Sequence, residues 1–190
     1  MNISLSWDLF VIVFFVIIVA YSFIIGRDNT LKVILGTYVA MVAADATGIL
    51  FAKYFGGSEF FMKLLKFASV GNEEEAVIFV KVLVFVILVI MFAVRGAFEV
   101  DTVDDSSSII RLVMTLLYAG MSAGLIISAI LVFISGVSFI DGGVQTSEAL
   151  WDLYNRSNLI RSIITHSAVW FSIPALAFLI HSLQTHRAGE

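Results

Sequence analysis

Five stretches of this chain are apolar for long enough to cross a lipid bilayer, and no other property of the sequence restricts its fold as tightly. They are Leu9–Ile25, Leu31–Phe55, Ala76–Phe98, Ile109–Ser135 and Leu159–Leu183. A helix rises about 1.5 Å per residue and a hydrocarbon core is about 30 Å thick, so roughly 20 residues make one crossing. Strands do not suit these runs, which are too long and lack the in–out alternation of a closed membrane barrel. The expected fold is all-α: a multi-pass transmembrane helical bundle of about five spans, with residues 1–190 forming one membrane domain.

Composition agrees. Hydrophobic residues make up 60% of the chain and charged residues 14%, against about 45–50% and about 25% in soluble domains. A soluble globule of this size has no way to hide so much apolar surface. The net charge is −4 and no basic stripe is present, so nucleic acid is not an expected partner. Cysteine is absent, which excludes disulfides, thiolate metal sites and thiol catalysis. No Lys or Arg precedes Leu9 and no small-residue cleavage motif follows Ile25, so the first run is expected to be a retained span rather than a signal peptide.

The connections are short. The polar sequence Gly26-Arg27-Asp28-Asn29-Thr30 is expected to be the turn between the first two spans, and Gly56-Gly57 ends the second. Glu73-Glu74-Glu75 leads into the third span, and Asp104 to Ser108 supply capping candidates for the fourth. Two connections mix aromatic, aliphatic and charged residues in the manner of helices lying in the headgroup plane: 58–70, with Phe60, Phe61 and Lys63, and 147–157, with Trp151 and Arg156. Lys and Arg divide almost evenly between the two sides and leave the orientation open.

Helices in lipid pack through close backbone approach, which small residues permit. The second span carries such a residue at every fourth position: Gly36, Ala40, Ala44, Gly48, Ala52 and Gly56. The fourth span repeats the spacing in Gly120, Gly124 and Ser128, with a GxxxG motif at its start. Both rows are expected to mark tight helix contacts, within the chain or with a second copy.

Three ionisable residues fall inside spans: Asp45, Lys81 and His166. A charge near mid-helix costs about 2.5–3.5 kcal/mol to insert, so Asp45 is expected to face protein or water. Counting residues from the same side puts Asp45 and Lys81 roughly 7–8 Å apart in depth, a gap most of which a lysine side chain can cover. Two outcomes follow. The three residues line a polar pathway for protons or a small solute, or Lys81 snorkels to the interface, Asp45 takes one neighbouring donor and His166 bonds a carbonyl. Motifs for metalloproteases, nucleophile elbows, phosphate loops and dinucleotide glycines are missing, and the histidines are not spaced to chelate. No enzyme, cofactor or metal is expected.

The first half of the chain resembles the colicin V production protein (CvpA) family of bacterial inner-membrane proteins. The residues that carry the likeness are Trp7-Asp8-Leu9 opening the first span, Gly26-Arg27 after it, Leu35-Gly36 in the second span and Arg111-Leu112 opening the fourth, over roughly residues 5–136. The order of Gly26-Arg27 departs from the family pattern, and Met114 and Tyr118 stand where glycines are usual. The resemblance implies the prokaryotic cytoplasmic membrane and a part in export or envelope upkeep, and names no catalytic residue. The sequence thus leads to a non-enzymatic subunit or scaffold of a membrane assembly, with lipid and other membrane subunits or further copies as partners. The alternative is a small channel or proton or solute transporter built around Asp45.

Overall fold

The computed structural model describes residues 7–55, 58, 61, 63, 70–95, 108–140, 154–155 and 157–188; for Trp7 and residues 181–188 it describes the backbone alone. These residues form α1 (Trp7–Phe55), α2 (Glu73–Arg95), α3 (Ser108–Ile134), α4 (Asn158–Thr165) and α5 (Ser167–Ala188). Among the described residues there is no strand. Helices α1, α2 and α3 are long and apolar enough to cross a membrane; Asn158–Thr165 of α4 and Ser167–Ile180 of α5 form a bent pair that meets the same standard taken together. The two connections expected at the interface lie largely outside the described residues.

Helix α1 is broken at Gly26, whose φ of 81° and ψ of 174° are not helical. The Thr30 hydroxyl donates to the carbonyl oxygens of Ser22 (3.1 Å) and Gly26 (2.8 Å). Eight residues of unbroken helix would hold Thr30 and Ser22 about 12 Å apart along the axis. The chain therefore folds back at Gly26, leaving one arm over 7–25 and another over 27–55. Val11 in the first arm packs on Ile127 and Leu131, and Asp45 in the second meets Ser138 just past α3. Both outer ends thus lie beside the C-terminal end of α3, so the arms run antiparallel. The expected five-residue turn is corrected to a single glycine, because Arg27 to Thr30 already belong to the second arm.

Helix α2 starts from a well-made cap. Asn72 Oδ1 accepts the Glu75 N–H (2.8 Å), and Glu75 reaches back to the N–H of Gly71 (2.7 Å). It then runs antiparallel to the second arm, passing Gly48 with Lys81 and Gly36 with Phe92. The C-terminal two-thirds of α3 form the centre of the bundle: Ala119, Ala123, Leu125, Ala129 and Phe133 are buried completely.

The fifth apolar run is not one straight span. It bends by 55° between α4 and α5, with His166 at the joint as the cap of α4. Ser157 caps the start of α4 by accepting the Ile160 N–H (3.0 Å). Its hydroxyl donates to Asp8 Oδ1, which ties α4 to the beginning of α1. Farther on, Pro174 leaves α5 one backbone donor short. Close by, the Tyr38 hydroxyl donates to the Phe171 carbonyl (2.6 Å), which ties the second arm of α1 to α5.

The glycines separate into kinds that mutation can tell apart. A Cβ at Gly26 meets nothing within 4 Å, but the backbone region is one that side-chain-bearing residues rarely enter. Gly26→Ala is expected to cost about 1–3 kcal/mol. A Cβ at Gly124 would lie 2.0 Å from the Trp170 ring, whereas one at Gly120 meets open space. Gly124→Ala is expected to cost about 1–3 kcal/mol through overpacking, and Gly120→Ala to be neutral or to stabilise by up to about 1 kcal/mol. Unfolding midpoints in mixed detergent read all three.

Candidate functional site: a buried ion pair between two helices

Asp45 lies in the second arm of α1 and is fully buried. The small residues on the same face, Ala40, Ala44 and Gly48, let α2 approach closely enough for Lys81 to reach it. A Cβ at Gly48 would stand 2.4 Å from Lys81 Cγ and 2.6 Å from its Cε, so the lysine stem lies across the bare backbone of that glycine. The stem ends with Lys81 Nζ 2.6 Å from Asp45 Oδ1. Lys81 is itself buried, and its ammonium does not snorkel to the surface.

The other carboxylate oxygen is held from a third segment. Helix α3 ends at Ile134, and Gly136 takes a φ of 78° that turns the chain back. Ser135 and Gly136 donate to the carbonyls of Leu131 and Phe133 at 3.0 Å each, closing the helix end. Two residues later the Ser138 hydroxyl donates to Asp45 Oδ2 (2.8 Å), and the Ile140 N–H donates to the same oxygen (2.9 Å). Phe139, between them, stacks edge-on against Phe133 and Phe171, and Phe133 against Phe85. Asp45 thus accepts from α2 and from the turn after α3, and rings from three helices pack alongside. Buried charge is tolerated when it is paired and its remaining lone pairs are filled.

Of the three intramembrane candidates, the fold brings together Asp45 and Lys81 and leaves His166 out. His166 is exposed, and its Nδ1 lies 2.9 Å from the Ser162 carbonyl. The helix-packing rows divide similarly. Gly36, Ala40, Ala44 and Gly48 are buried, and the side chains seated on the two glycines come from α2 of the same chain. Ala52 is exposed, and Gly56 lies outside the described residues. Gly124 carries Trp170 and Ser128 is buried, but Gly120 has no close neighbour. Sequence reasoning missed Ser138 and Ile140 as partners of Asp45. It also missed Asp8, which it placed only at the opening of the first span, as the partner of Ser157. The only signal for the turn was Gly136.

Among the described residues, no group of three or more His, Cys, Asp or Glu side chains is placed to hold a metal. No protein-family model matches the chain, and no curated protein and no solved structure matches it.

Removing one member of such a pair leaves the other charge buried without its counterpart. Lys81→Met and Asp45→Asn are each expected to lower stability by about 3–5 kcal/mol. The double variant is expected to lose less than the two added together, by at least about 1 kcal/mol. A double-mutant cycle of unfolding free energies in detergent measures the coupling, and strictly additive losses would contradict it.

Proposed function

We propose that the chain is a five-span integral membrane protein that acts by assembly, as a non-enzymatic subunit or scaffold in a membrane. In this reading the two arms of α1, then α2, α3 and the bent α4–α5 pair each make one crossing. The arms, at about 28 and 43 Å, are long enough. A part in export or envelope upkeep, in a prokaryotic cytoplasmic membrane, is what the CvpA-like residues add to the proposal.

The observation that carries the assembly reading is the bare start of α3. From Ser108 to Leu117 every residue but Thr115 is exposed, and Ile109 reaches 73%. Burial begins at Tyr118. Ile109, Ile110, Leu112, Val113, Leu116 and Leu117 therefore present apolar surface around the whole circumference of the helix. Contiguous apolar surface of this kind is met by lipid or by a partner helix.

The chain has no cysteine, so single substitutions report without background. Val113→Cys and Leu116→Cys are expected to give oxidative or bifunctional cross-links in native membranes, while Ile17→Cys, on the exposed face of α1, gives none. The protein mass of the particle in mild detergent, with bound detergent subtracted, is expected to be at least twice the 20.9 kDa of one chain. A monomeric particle with no adduct from the α3 positions would reject the reading.

A second reading, a proton-coupled channel or transporter, draws on one observation: a buried carboxylate–ammonium pair within helices of crossing length. It requires pH-dependent flux in liposomes that Asp45→Asn abolishes. Flux that is absent, or indifferent to Asp45→Asn, removes it.

A further inference from the structure

The end of the bundle away from Asp45 contains a cleft of about 460 Å³ between the turn of α1 and the first turns of α3. Its lining mixes two kinds of side chain: Arg27, Asn29 and Arg111 are polar, and Phe23, Ile25 and Leu112 are apolar. Asp28 also lines it, so the lining carries two guanidiniums and one carboxylate. All of these residues belong to helix ends: Arg27 directly follows the break at Gly26, and Arg111 is in the first turn of α3. On the same level Tyr21 donates to the Ala93 carbonyl (3.3 Å), two residues before α2 ends at Arg95.

We propose that this cleft binds an anionic phospholipid, with the headgroup phosphate between Arg27 and Arg111 and an acyl chain along Phe23, Ile25 and Leu112. The inference rests on the membrane reading above. Guanidinium presents a planar fork of N–H donors that matches phosphate oxygens in pairs. The Asn29 amide gives one N–H to the Ile25 carbonyl (2.9 Å) and has a second, and the Ser108 hydroxyl in the lining is another neutral donor. The same lining sets apolar side chains beside the arginines, the two kinds of chemistry that a phospholipid carries in one molecule. A soluble phosphate would use the arginines and leave the apolar half in contact with nothing. The site does not require either arginine to lack other contacts, since phosphate binding by arginine tolerates a shared carboxylate. The chain supplies one rival occupant: Asp104 and Asp105 precede Ser108 by only a few residues.

The test uses the full chain in nanodiscs and in mild detergent, with phosphatidylglycerol and phosphatidylcholine as probes. Retention of each lipid is read by native mass spectrometry, and stabilisation by thermal shift. Each interfacial cation contributes about fivefold to binding of an anionic lipid. The wild type is therefore expected to prefer phosphatidylglycerol roughly thirtyfold, Arg27→Gln and Arg111→Gln each to lose about fivefold, and the double variant to lose the preference. Arg95→Gln, at the same end but outside the cleft, keeps it. Leu112→Trp, which fills the apolar half without altering charge, lowers retention of both lipids.

Equal retention of the two lipids by the wild type overturns the proposal, as does an equal loss in Arg95→Gln, which would be surface attraction alone. Stabilisation by inorganic phosphate that matches that of phosphatidylglycerol overturns it too, in favour of a soluble anion. A preference that emerges only in Asp104→Asn/Asp105→Asn overturns it in favour of the acidic segment as occupant. Incorporation into phosphatidylcholine nanodiscs is scored separately, so a failure of the membrane reading is distinguishable from a failure of the site.

Discussion

Hydrocarbon offers no hydrogen bonds, so a polar group placed within apolar helices must find its partner in the chain itself. Asp45 is the most demanding case among the described residues. Its two oxygens need donors, and the donors come from Lys81 on α2 and from Ser138 and Ile140 beyond α3. Three segments far apart in sequence are thereby held to one point. A purely apolar interface has many near-equivalent registers, because one methyl group substitutes for another. An ion pair closed by two further hydrogen bonds has only one. The register of α2 along α1, and the path of the chain after α3, follow from satisfying this single carboxylate.

Packing follows the same logic through paired extremes of size. Each close approach joins a glycine to a long or broad side chain: Gly36 to Phe92, Gly48 to Lys81 and Gly124 to Trp170. The glycines give no side-chain contacts themselves; they let a neighbour lie on bare backbone, where dispersion contacts are dense. At Gly48 packing and electrostatics meet. The Lys81 stem needs that gap to bring its ammonium to Asp45, so the small-residue row and the ion pair are one structural device.

Much of this was legible in the sequence, for physical reasons that also mark where legibility ended. The helical class and the apolar runs were readable because length and hydropathy alone decide them. Counting residues inward from one side put Asp45 and Lys81 within reach of each other, since helical rise is fixed, but left a snorkelling Lys81 open as well. The place of the break in α1 was readable from Gly26, but not its extent; Arg27 to Thr30 look like a turn and are helical, because one glycine in a positive-φ conformation reverses the chain. The bend at His166 had no such mark. It arises where Ser157 and Asp8 anchor α4 to the start of α1 while α5 follows Trp170 onto Gly124, and these are tertiary contacts with no local signature. Ser138 and the Ile140 N–H were illegible for a related reason: a backbone donor has no residue type, and a serine after a helix end is commonplace. In the small-residue row Gly36, Ala40, Ala44 and Gly48 are buried and Ala52 is exposed, and which side chains seat on the row depends on which helix folds beside it.

The two ends of the bundle are built differently, and this bears on where the molecule can act. At one end Asp8 is tied to Ser157, Asp45 to α2 and the Ser138 turn, and Val11 to Leu131 and Ile160. Displacing any helix there breaks polar contacts that lipid does not replace. At the other end the arms of α1 are joined by Gly26, while α3 leaves the bundle for its first ten residues and opens a cleft beside the turn. Motion of α3 there changes mainly which apolar groups touch one another, and lipid or a neighbouring helix replaces such contacts at little cost. The cleft at the open end and the ion pair at the closed end share no residue, so the two are built from separate parts of the bundle. The charged residues most costly to bury are thus those that keep the fold in place, and the exposed apolar turns of α3 are the part free to engage something else.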